Sequence, residues 1–163
     1  MRAAVVLGAV VLAAACGQAA ELDVAAAEGR IRDRLAETYD VEVGLVACPD
    51  RVEVEEDGTF TCTAAVGDEE VAVEVRQTDG DGTLEVTAEQ AILSTPRVEA
   101  DIAATLADRF ARDDVEVTCE GPEIRLEAPD ATFTCEAVDG DEAKEVEVRV
   151  RDAAGALAYT LAD

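Results

Sequence analysis

The chain has 163 residues, with 38 aspartates and glutamates against 13 lysines and arginines and a formal charge of −25. Nucleic acid is excluded as a partner, because a phosphate polyanion needs clustered cations that release its counterions, and the same charge opposes adsorption to an anionic membrane surface. Apolar residues make up 49% of the chain, enough for a packed core, and the length suits one medium domain or two small ones.

The first element is a leader. Arg2 precedes an uncharged run from Ala3 to Ala15 that ends in small residues before Cys16. Such a run makes a helix of about 20 Å, short of the roughly 30 Å hydrocarbon core, so it reads as a secretory signal over residues 1–15 and not as a membrane span. Leu12-Ala13-Ala14-Ala15-Cys16 resembles a bacterial lipobox, with its leucine one place earlier than usual. That resemblance implies lipidation at Cys16, a lipid-anchored linker over residues 16–23, and a place on the extracytoplasmic face of the cell membrane. Ordinary signal cleavage, leaving Cys16 free or lost, is the alternative. Cys16 is the odd one of five cysteines, and the other four form two matched pairs.

The remainder says the same thing twice. Thr59-Phe60-Thr61-Cys62 recurs as Thr132-Phe133-Thr134-Cys135. A shift of 73 residues superposes Phe60, Cys62, Gly67, Val73, Val75 and Arg76 on Phe133, Cys135, Gly140, Val146, Val148 and Arg149. Upstream, a shift of 71 superposes Ala27, Ile31, Leu35, Tyr39 and Cys48 on Val98, Ile102, Leu106, Phe110 and Cys119. The second copy therefore has two extra residues between its cysteines. The chain divides into a first domain over residues 24–90 and a second over 91–163.

Each copy opens with apolar residues four apart, separated by charges, which predicts an amphipathic helix. Thr95-Pro96 fits an N-cap and first-turn proline for the second helix. The period then changes to two. Val41/Val43/Leu45, Val52/Val54, the TFTC strand, Val71/Val73/Val75 and Leu84/Val86 alternate in the first copy, answered by Ile124/Leu126, the second TFTC strand, Val146/Val148 and Leu157/Tyr159. Glycine-acid turns between them are short enough for antiparallel hairpins and too short for parallel crossovers. The predicted class is α+β: two tandem domains, each a helix laid across an antiparallel meander of about four strands, an arrangement analogous to cystatins.

Cys48 with Cys62 and Cys119 with Cys135 fall on neighbouring strands of a secreted chain, which predicts one structural disulfide per copy. Closing a loop of about 15 residues contributes about 3 kcal/mol in the chain-entropy model. A redox pair would sit two residues apart at a helix start, and zinc would want closer ligands or histidine, of which there is none.

The absent histidine also removes the commonest general base, and Ser94, the single serine, lacks a nucleophile-elbow context. No enzymatic activity and no cofactor are expected. Thr78-Asp79-Gly80-Asp81-Gly82-Thr83 invites a calcium reading through Asp79 and Asp81, but the twelfth loop position is Gln90, so a hairpin turn is favoured and no metal site is expected.

Leader, helix, Cys48-Pro49, Gly58, Phe60 and Cys62, then alternating strands, are similar to the bacterial domain of unknown function 4333 family; Cys119, Phe133 and Cys135 repeat the pattern, with Asp130-Ala131 in place of the glycine turn. The resemblance implies an actinobacterial secreted or lipid-anchored address and the two disulfides, and brings no activity with it. The expectation is a non-enzymatic envelope module that binds a protein partner or acts as a spacer. An acidic surface for cations or basic protein partners is the alternative.

Overall fold

The computed structural model describes residues 20–111 and 115–162. Helix α1 spans Val24–Tyr39; the Asp23 carboxylate accepts from the Ala26 N–H at 3.1 Å, and Asp40 ends the helix in the left-handed conformation. Ala27, Ile31 and Leu35 are buried, which is the stripe the spacing predicts. The helix lies on a sheet of β1 (Val43–Ala47), β2 (Thr59–Val66), β3 (Glu69–Gln77) and β4 (Leu84–Ala88), antiparallel and in chain order. A two-residue turn, with Gly67 at φ +61°, joins β2 to β3, and Gly140 repeats it in the second copy at the same angle.

The second copy comprises β5 (Ala91–Ser94), α2 (Thr95–Phe110), β6 (Val115–Cys119), β7 (Ile124–Glu127), β8 (Thr132–Asp139), β9 (Glu142–Val150) and β10 (Leu157–Leu161). Its four-stranded sheet runs β6, β8, β9, β10. The expected class therefore holds, two tandem units of a helix on a four-stranded antiparallel sheet. The second sheet passes over β7, which pairs antiparallel with β5 from Ala91 opposite Glu127 to Ser94 opposite Ile124.

The first copy contains a reduced form of that pair. Glu21 bridges Glu53, the Leu22 N–H donates to the Val52 carbonyl at 2.8 Å, and the Val54 N–H donates to that of Ala20 at 2.7 Å. With Leu22 buried, residues 20–22 belong to the first domain, which shortens the linker expected over 16–23. Each helix is thus preceded by a short extended segment held against the stretch that follows the first cysteine.

Two local expectations are corrected. Val43 and Leu45 were expected to point inward together. A bulge sets four residues, Val43 to Val46, against three, Val66 back to Ala64, so that Val43 and Val46 are buried and Leu45 is 77% exposed. The N-cap of α2 is Ser94, not Thr95. The Thr95 hydroxyl instead donates to the Pro122 carbonyl at 2.6 Å, tying the helix start to the loop before β7.

Candidate functional site

Both expected disulfides are present. Cys48–Cys62 and Cys119–Cys135 close at Cα separations of 4.2 and 4.1 Å, the latter between directly opposed residues of β6 and β8. Each is backed by a glutamate that the sequence reading passed over: the Cys48 N–H donates to Glu28 Oε1 at 3.0 Å, and the Cys119 N–H to Glu99 Oε1 at 2.8 Å. Both glutamates precede their cysteine by 20 residues, a spacing visible in the sequence. They fasten helix to disulfide in the same way twice.

Asp79 and Asp81 do not converge on an ion site. Asp79 Oδ1 accepts from the backbone N–H groups of Asp81 at 3.0 Å and Thr83 at 2.9 Å, and Asp152 repeats the turn by accepting from the Ala156 N–H at 3.1 Å. Hydrogen bonds from Thr83, side chain first and then backbone, hold the Asp79 carboxyl below its ordinary range. Among the described residues no group of three or more acids or cysteines is placed to hold a metal. None of their helices is long and apolar enough to cross a membrane. Cys16 and the leader lie outside the described residues.

The first notable surface is the joint between the domains. Strand β5 alternates between two cores: Ala91 and Leu93 pack with Val98, Ile102 and the β9 valines, whereas Ile92, 2% exposed, packs into the first domain with Leu35, Val66 and Val71. From β7, Ile124 and Leu126 pack against that same first core. Under the two shifts, Ile92, Ile124 and Leu126 correspond to Glu21, Arg51 and Glu53 in the first copy. Three positions that are charged and exposed in the first copy are aliphatic in the second, where a domain is joined. At the edge of the joint the Tyr39 hydroxyl donates to the Ala153 carbonyl at 3.0 Å, and Arg97 pairs with Asp40 at 3.2 Å. Burial, and secondarily the charge of Asp152, raise the Tyr39 phenol above its ordinary value.

Behind the joint, Arg125 of β7 is 7% exposed. Its guanidinium lies 4.1 Å from the centre of the Phe133 ring, donates to the Glu120 carbonyl at 2.5 Å, and reaches Glu127 at 3.4 Å. The first copy puts Val52 at this place, packed with Phe60, and braces the segment with buried Gln77, whose amide donates to the Glu53 carbonyl at 2.9 Å and accepts from the Glu55 N–H at 3.3 Å. Gly58 packs against that brace: a Cβ there would meet the Glu55 carbonyl oxygen at 3.0 Å, the Gln77 amide nitrogen at 3.1 Å and the Glu55 Cβ at 3.2 Å. The second copy has Val150 for Gln77 and Ala131 for Gly58, so one of those three contacts is absent there. The left-handed residue of this turn is Asp57 in the first copy and Asp130 in the second, so the turn keeps its backbone conformation with Ala131 in place of Gly58.

The second notable surface is the far end of the second domain, where Leu106, Phe110, Val115, Ala137 and Leu161 line an open groove of about 260 Å³.

These features define a class, a tandem of disulfide-stapled helix-on-sheet domains locked head to tail through a shared strand pair. Two successive matches to the family described as Domain of unknown function (DUF4333), over residues 4–82 and 83–155, cover most of the chain, which belongs to that family. Comparison with curated proteins and with solved structures gives no match.

Proposed function

We propose that the chain is a non-enzymatic extracytoplasmic protein, anchored to the cell membrane by lipid on Cys16, whose joined domains form a binding module of the cell envelope. The observation that carries this reading is the cysteine count: four of five cysteines are consumed in two disulfides, and the fifth follows the apolar leader. Disulfides persist in oxidising compartments, which supports export. Residues 20–22 are tied to the first domain, so three residues separate Cys16 from Ala20, a reach of at most about 14 Å over four Cα steps, and a lipid on Cys16 would hold that domain against the bilayer.

The test is metabolic labelling with an alkyne palmitate in cells expressing the full chain or Cys16→Ala. Label and membrane retention are expected for the former and loss of both for the latter; a Cys16→Ala chain that stays on the membrane overturns the anchor. The charge of −25 favours a second reading, an acidic surface for cations or basic proteins. An unchanged melting temperature at millimolar calcium sinks its calcium form.

A further inference from the structure

The two domains present corresponding sites, filled in one and open in the other, with Val66 and Val71 of the filled site replaced by Asp139 and Lys144 in the open one. In the first domain Leu35, Tyr39, Ala64, Val66, Val71 and Ala88 belong to the one core that Ile92, Ile124 and Leu126 enter. Their counterparts under the repeat are Leu106, Phe110, Ala137, Asp139, Lys144 and Leu161, every one of which lines the open groove of the second domain. Phe110 there is 51% exposed, an uncommon state for a large aromatic next to other apolar side chains.

We infer that this groove is a docking site for an extended segment of another protein that carries two or three branched aliphatic side chains on one face. The occupant is specified by the filled copy, in which a strand pair delivers two isoleucines and a leucine to the same pocket. A second copy of this chain does not supply it, because its corresponding face carries Glu21, Arg51 and Glu53, and its own β5–β7 pair is already buried in the joint. Those three charges would lie against Leu106, Val115 and Phe110 with their hydration lost. The groove also lacks the two polar latches of the joint, since Phe110 and Ala111 stand where Tyr39 and Asp40 hold the second domain. Its lining carries both signs, with Asp139, Glu142 and Lys144 beside the apolar wall of Leu106, Phe110, Val115, Ala137 and Leu161, and Arg109 next to the Phe110 ring at 5.9 Å, so the aliphatic face of the segment meets that wall and its flanks meet the charges. This inference deepens the binding-module reading and rests on it.

The probe is a hairpin peptide in which an Asn-Gly turn joins the β5 sequence Ala91–Ser94 to the β7 sequence Ile124–Glu127. It is titrated into the methyl-labelled chain with Cys16→Ser, followed by NMR. Saturable shifts are expected at Leu106, Val115 and Leu161, with none in the first domain, where the site is filled. A peptide with Glu, Arg and Glu at the three aliphatic positions should bind at least about tenfold more weakly, as should the parent hairpin to Phe110→Asp, an exposed substitution whose melting temperature verifies folding. No saturable shift up to about 1 mM hairpin, or equal binding by the charged peptide, overturns the site. Concentration-dependent dimers in sedimentation that Phe110→Asp abolishes would make the occupant a second copy, and palmitate shifting the same methyls while the hairpin does not would make it a lipid; either overturns the inference. Because Cys16 is substituted in this assay, failure here leaves the labelling result standing, and failure of labelling leaves this one.

Discussion

At the end of its helix the first domain carries Tyr39 beneath a cover of Ile92, Ile124 and Leu126, whereas the second carries Phe110 half exposed beside an open groove. Much of the scaffold is shared, from the glutamate that holds the first cysteine to the arginine that pairs with the turn aspartate, Arg76 with Asp57 and Arg149 with Asp130, while Val66 and Val71 give way to Asp139 and Lys144. The lesson is that a repeat keeps the residues that make its fold and varies those that decide what it touches.

The comparison breaks most sharply at Ile92. Ile92→Asp puts a carboxylate into the first core and should destabilise the chain by about 4 kcal/mol or more, whereas Glu21→Ile, the matching substitution on an uncovered surface, should change it by less than about 0.5 kcal/mol. Urea denaturation followed by circular dichroism measures both. An equal cost at the two places would mean the joint carries no stability. Next in size are the disulfides: serine at Cys48 and Cys62, or at Cys119 and Cys135, should each remove about 3 kcal/mol, because the loops closed are nearly equal in length. A large inequality in denaturation midpoints would show that one copy leans on the other.

Glu28→Ala and Glu99→Ala should cost about 2 kcal/mol each, since each leaves a partly buried cysteine N–H without its carboxylate acceptor, while Gln at either place keeps an acceptor and most of the stability. The same denaturation experiment checks the pair. The smallest effect concerns Tyr39, where phenylalanine should cost about 1 kcal/mol through the lost bond to Ala153. Its phenol is raised above 10.0 in the folded chain, so the folded state holds this proton more tightly than the unfolded one; that contribution is complete below pH 10 and is lost as pH rises through the folded value. A fall in melting temperature above pH 10 that is smaller in Tyr39→Phe than in the parent checks the sign. Tyr159, raised by its own burial and then by Asp101, titrates in the same direction within the second domain and supplies the residual fall.

Much of this was legible in the sequence because it is periodic and local. The helices, the cysteine pairs and the duplication follow from side-chain spacing and stand as read, whereas the strand alternation holds for β2, β3, β8 and β9 but fails at Leu45, at Val52/Val54, which form no strand, and at Ile124/Leu126, which leave the four-stranded sheet. The pairing of β7 with β5 was not legible: Ile124 and Leu126 alternate as any sheet strand does, and alternation does not name the partner strand. The bulge at Gly44 and Leu45 escaped because one added residue reverses the faces beyond it. The groove was invisible for a further reason. Phe110 continues the apolar stripe of α2, and only the filled counterpart in the first domain shows that the helix end was built to be covered.

The charged trio Glu21, Arg51 and Glu53 and its aliphatic equivalent also state a rule for growth. Converting a terminal unit of this kind into an internal one takes three side chains on the incoming face and a receptive helix end on the one before it, with the hydrogen-bonded scaffold untouched. A lineage could therefore lengthen or shorten such a chain by duplicating whole units and editing a few codons at each seam, and the reach of the protein from its point of attachment would change in steps of one domain.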